Sequence, residues 1–140
     1  MEFQQEQDGW HLVLHDGLVQ LIQIDFRLGL FVSDASGKAQ LYVETPCRLR
    51  GIDADVLLTP AEPSSLAPVL PLFNARVTRV AIRKTGQLKV EFGDGRTLEV
   101  DPDDKYEAWQ IACSMGFMLV CSPGGNVSVF KEAEPRVQAT

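Results

Sequence analysis

Short runs in which apolar and polar residues alternate, separated by tight-turn dipeptides, dominate this chain and predict consecutive antiparallel hairpins. Trp10, Leu12 and Leu14 alternate with His11, Val13 and His15. Asp16-Gly17 then offers the positive φ angles of a two-residue loop, and Leu18 to Ile24 begins the next run. The grammar recurs in Leu28 to Val32, a turn at Asp34-Ala35-Ser36-Gly37, and Leu41 to Val43. It returns in Val77 to Ile82, a turn at Thr85-Gly86, Leu88 to Phe92, a turn at Asp94-Gly95, and Leu98 to Val100. A closing meander is predicted over Trp109 to Cys113, Phe117 to Cys121 and Val127 to Phe130, turning at Ser114-Met115-Gly116 and Pro123-Gly124-Gly125-Asn126. About ten strands follow from this pattern.

One segment breaks the alternation. Between Pro60 and Asn74, Ser64 or Ser65 can cap a short helix whose Leu66, Val69, Leu70 and Phe73 fall at i, i+3, i+4 and i+7, with Pro71 limiting its length. Gly51 to Pro63 reads as the connection into it. The apolar order from Val19 to Pro46 is echoed from Val77 to Pro102, which is either an internal duplication or the plain likeness of any two β-meanders. The fold class expected is mainly β: an antiparallel meander forming a sandwich or partly open barrel, with one short helix. A length of 140 residues suits a single domain over 1–140, ordered over 9–130 and frayed at 1–8 and 131–140.

Composition narrows the function classes. At 45% hydrophobic and 23% charged residues, the chain can fold without a cofactor or a staple, and none is expected. No apolar run approaches the roughly 18 residues of a bilayer span, and the first eight residues are polar and acidic, so a cytoplasmic protein with no membrane contact is expected. Cys47, Cys113 and Cys121 are an odd number without Cys-x-x-Cys spacing, which points to buried thiols rather than disulfides or zinc. A net charge of -6 argues against nucleic acid and favours a basic protein partner.

Three stretches carry a resemblance: Phe92-Gly93-Asp94-Gly95-Arg96-Thr97-Leu98-Glu99-Val100, Tyr106-Glu107-Ala108-Trp109, and Leu119-Val120-Cys121-Ser122-Pro123-Gly124-Gly125. In this order they resemble a family of small bacterial proteins classed only as a domain of unknown function. The resemblance implies a fold, and no catalytic or binding residue. By size and acidity such chains are similar to immunity proteins, small cytosolic inhibitors that neutralise a toxin by binding it.

The densest charge feature lies between Glu91 and Glu107. Crowded carboxylates repel unless they are solvated or meet a cation, so Glu99, Asp101, Asp103, Asp104 and Glu107, with Tyr106 and Trp109 as aromatic anchors, form the candidate docking surface for a basic toxin or effector. No metal site is expected: Asp101-Pro102-Asp103-Asp104 lacks the calcium-loop pattern, and His11 and His15 on one strand lie roughly 13 Å apart and face solvent. No catalytic residue is expected either, since no serine or cysteine nucleophile sits in a recognisable base-and-oxyanion setting. Two other readings stay open: a small-molecule-binding or catalytic β-barrel with a pocket near Tyr106 and Trp109, and a subunit that self-associates through an exposed strand edge.

Overall fold

The computed structural model describes residues 1–131 and shows a mainly β protein built on one antiparallel sheet that does not close. Its strands are β1 (Glu2–Glu6), β2 (Gly9–Ile24), β3 (Leu28–Ser33), β4 (Lys38–Val43), β5 (Cys47–Arg50) and β6 (Asp55–Leu58). After a 3-10 helix (Pro63–Leu72) come β7 (Arg76–Arg83), β8 (Leu88–Phe92), β9 (Thr97–Val100), β10 (Trp109–Cys113), β11 (Phe117–Cys121) and β12 (Val127–Lys131). No helix among the described residues is long and apolar enough to cross a membrane.

Along the sheet the order is β12-β11-β10-β4-β3-β2-β7-β8-β9-β5-β6, with β1 added to β2. Hairpin neighbours stay together, as the turn dipeptides predict. Three pairings join strands distant in the chain: β2 with β7, and an exchange in which β5, which follows β4 in the chain, pairs with β9, while β10, which follows β9, pairs with β4. Only Glu44–Pro46 links β4 to β5, and three residues reach roughly 10 Å. That is about the spacing of two packed sheet layers, so the sheet has to coil until β4 and β5 face each other across a core. One buried cluster accordingly draws Leu12, Leu30, Leu41, Leu49, Val80, Val90, Leu98, Ile111 and Leu119 together with Leu66 of the helix.

The coil is latched where two turns meet. Gly86, in the β7–β8 turn, has φ +99° and lies so close to Gly125 of the β11–β12 turn that a Cβ on it would sit 2.7 Å from the Gly125 carbonyl oxygen. The buried Trp109 indole Nε1 donates to the Gly86 carbonyl at 2.8 Å in the same place. Phe3 stacks on Phe117 at 4.7 Å between centroids, which ties β1 to β11.

Several expectations are corrected here. Asp16-Gly17 makes a bulge inside one sixteen-residue strand instead of a hairpin: the step from Val13 to Gly17 on β2 is matched by only Arg79 to Val77 on β7. Asp16 takes φ 55°, so the dipeptide uses the backbone freedom foreseen for it, in a bulge that bends the strand. The first eight residues do not fray, because Glu2–Glu6 pairs with β2 from Val13 to Gly9. Gly51 to Pro63 is more than a connection, since β6 lies within it. The helix is 3-10: Leu66, Val69 and Leu72 are buried at the three-residue spacing of that helix, whereas Leu70 and Phe73 are exposed. Pro68 and Pro71 remove the amide hydrogens an α-helix would need. From residue 132 on, the expected tail lies outside the described residues.

Candidate functional site

The acidic segment is for the most part consumed by the fold. Glu99 projects from β9 beside β5 and meets Arg50 Nε at 2.6 Å. Asp94 is bonded to Arg96 at 2.7 Å, and that hydrogen bond holds its carboxyl below the ordinary range. Asp101 accepts from Gln87 Nε2 at 3.0 Å. Asp103 accepts the backbone N–H groups of Lys105 and Tyr106 at 2.8 and 3.0 Å, an Asx turn that shapes the loop before β10. Asp104 and Glu107 are exposed, and Tyr106, 66% exposed, stands between them.

Trp109 is not a surface anchor. It is fully enclosed by the core, which also removes it from the mouth of any pocket. The sequence showed an aromatic after an acidic loop; the inward phase of β10 decided which way it pointed. The three cysteines are buried and unpaired as expected, and burial pushes the Cys47 thiol up to about 12 and Cys113 up to about 11.

The outer face over β7, β8, β9, β5 and β6 is a lattice of alternating charge. One cross-strand row reads Arg79, Glu91, Thr97, Arg50, Asp55, and the next Ala81, Lys89, Glu99, Arg48, Leu57. Opposite charges directly across strands support one another, and Arg48 also reaches Asp55 at 3.4 Å. At the β2 side of this lattice is a small cleft, about 190 Å³, lined by Glu6, His11, Arg79, Arg83, Lys89 and Glu91 among others.

His11 lies in this cleft, and its expected solvent position is corrected: it is buried beneath Arg79 and Glu6. Arg79 Nε–H donates to His11 Nδ1 at 2.6 Å. Nε2 of the same ring meets Glu6 Oε2 at 2.7 Å and Arg79 Nη2 at 3.0 Å. Glu6, Asp8 and His11 bring potential ligand atoms within 4.8 Å of one another. Both ring nitrogens are nevertheless engaged and Arg79 adds a positive charge, so the arrangement suits an ordered hydrogen-bond chain better than a cation.

The other outer face is different in kind. Two rows cross six strands without a charged side chain: Leu21, Phe31, Gln40, Ala112, Met118, Phe130, and Gln23, Gly29, Tyr42, Gln110, Val120, Ser128. Phe31 and Tyr42 meet edge to face at 5.7 Å, and Arg27 at the rim lies over the Tyr42 ring at 4.4 Å. The signal that could have found this surface was in the sequence. From Trp109 to Phe130 the chain has no Asp, Glu, Lys, Arg or His, in a protein with 23% charged residues.

Fold and surfaces define an open antiparallel β-sheet protein with one charged and one uncharged outer face. The chain belongs to a family of unknown function, DUF6188, whose model matches residues 10–131 and so takes in both faces. No curated protein and no solved structure matches it.

Proposed function

We propose that this protein is a non-catalytic protein-binding module that docks through the uncharged face of β3, β4 and β10 to β12. The observation that carries the reading is the pair of charge-free rows over six strands. Covering such a surface strips no ion of its water, and Phe31, Tyr42, Met118 and Phe130 are of the types that interfaces favour. The test is co-purification of the tagged chain and its Met118→Glu variant at low and high salt. A partner kept at high salt by the wild type and lost by the variant supports the reading; a partner indifferent to Met118→Glu sinks it.

A second reading has its own support in the loop Asp101 to Glu107. Exposed Tyr106 between exposed Asp104 and Glu107 suits a basic partner, as an immunity-type inhibitor of a bacterial toxin or effector would need. Partner binding that weakens with salt and with Asp104→Lys plus Glu107→Lys would favour that loop over the sheet face. Three unpaired buried thiols support a reducing, cytoplasmic setting for either reading. The reciprocal strand exchange supports an origin of the scaffold in a duplicated unit.

A further inference from the structure

β12 ends the sheet, and among the described residues the devices that keep edges from pairing are confined there to Lys131 at its last position. Val127-Ser128-Val129-Phe130 contains no charge and no proline, and its register with β11 has no bulge. Val129 and Phe130 point to opposite faces, yet are 41% and 56% exposed. The other end of the sheet is managed differently. β6 is four residues long, opens with the ion-paired Asp55, and leads into the 3-10 helix, which is fastened by Ser65 Oγ donating to the Thr59 carbonyl at 2.8 Å.

The hydrogen-bond parity of β12 shows which backbone groups are offered. Ser122 N–H donates to the Asn126 carbonyl at 2.9 Å, which makes these opposed residues a hydrogen-bonded pair. Such pairs alternate along an antiparallel ladder, so Ser128 and Phe130 bond to Val120 and Met118 of β11. The N–H and C=O groups of Val127, Val129 and Lys131 therefore point away from the sheet.

The geometry points to a second copy of this chain as the occupant, with β12 pairing antiparallel to itself across a two-fold axis at Val129. In that register Val129 faces Val129 of the second copy and Val127 faces its Lys131, so every outward backbone group on one edge finds its complement on the other. Charge favours a like partner at this place. Each chain carries -6, but from Trp109 to Phe130 neither presents a carboxylate, so along this stretch two acidic molecules meet without carboxylates facing each other. The uncharged rows also continue, with Phe130 beside Ser128 of the second copy. The inference rests on the proposed reading in that the same uncharged end of the sheet is taken to be the interacting one.

Sedimentation velocity on the full chain over a concentration series tests it. A monomer–dimer equilibrium is expected that strengthens as salt screens the repulsion between the two chains. Val129→Lys sets two ammonium groups face to face at the axis and should weaken the dimer about tenfold or more. Val129→Pro removes an N–H that β11 does not use, and should do the same with the circular dichroism spectrum unchanged. A wild type still monomeric at roughly 100 μM, a dimer untouched by Val129→Lys, or dimerisation only after residues 132–140 are removed would each overturn the proposal. A monomer whose foreign partner is still lost on Met118→Glu would sink the dimer and leave the proposed function standing.

Discussion

The sets β2-β3-β4 and β7-β8-β9 are built alike and finished differently. Each is three antiparallel strands joined by tight turns, and each turns Leu, Val and Ile inward: Leu28, Leu30, Leu41 and Val43 in one, Val80, Ile82, Leu88 and Val90 in the other. Outward, the first continues into rows of Leu, Phe, Gln and Tyr, and the second into Arg, Glu and Lys. The inward rows are held to one composition because they fill the same core. The outward rows answer only to what meets them from outside, so the difference between them is where the functional information lies.

Trp109 joins the two regions, and removing it should have the largest effect. Trp109→Ala would open a cavity and leave the buried Gly86 carbonyl without its indole donor, a loss of about 3–5 kcal/mol in urea unfolding. A loss under about 1 kcal/mol would mean that the contact does not hold the regions together.

Asp34 is next, in the turn between β3 and β4. Burial alone would raise its carboxyl, but the Met1 ammonium at 2.6 Å and the N–H groups of His15 and Ser36 hold it well below the ordinary range. Asp34→Ala, which strands those donors, should cost about 1–3 kcal/mol. A carboxyl depressed in the folded state contributes stability that is complete above its unfolded value of about 3.9 and is lost as pH falls from there toward the lower folded value. Urea midpoints of the wild type should therefore drop in acid, and those of Asp34→Ala should drop less.

Asp103→Ala should cost about 1 kcal/mol by loosening the Lys105 and Tyr106 amides, which makes charge reversal at Asp103 a poor test of docking. Within the charged face, Arg79→Gln should change stability by less than about 1 kcal/mol through its exposed ion pair with Glu91. A larger loss would show that the His11 contact, rather than the ion pair, is what Arg79 supplies. Smallest of all, Asp104→Lys with Glu107→Lys should leave the melting temperature unchanged, so any binding defect in that variant reports on the loop alone.

Period-two alternation was enough to place most strands, because each buries one face and the side-chain period of a strand admits no drift. The same pattern could not separate a bulge from a hairpin at Asp16-Gly17, since both need the same backbone freedom and only the partner strand distinguishes them. It also missed β5 and β6, four residues each and too short to show a period before β5 pairs with β9 and β6 with β5. At the candidate site, acidity was legible and its meaning was not. Arg50, which absorbs Glu99, is distant in sequence and adjacent only once β5 pairs with β9, and Gln87 meets Asp101 across the β8–β9 hairpin, a contact that the register of the hairpin decides. His11 shows the same limit: alternation put it outside, and Arg79 and Glu6 then closed over it.

The exchange of β5 and β10 reaches beyond architecture to how the chain can be divided. A fragment ending after β6 would hold β5 without β9, and the complementary fragment would hold β10 without β4. Neither piece could complete its ladder alone, so two such fragments, mixed, should fold only as a complex, each a template for the other. A chain built this way forms its defining pairings late, between segments about fifty and seventy residues apart, and slow, all-or-none assembly follows from that connectivity.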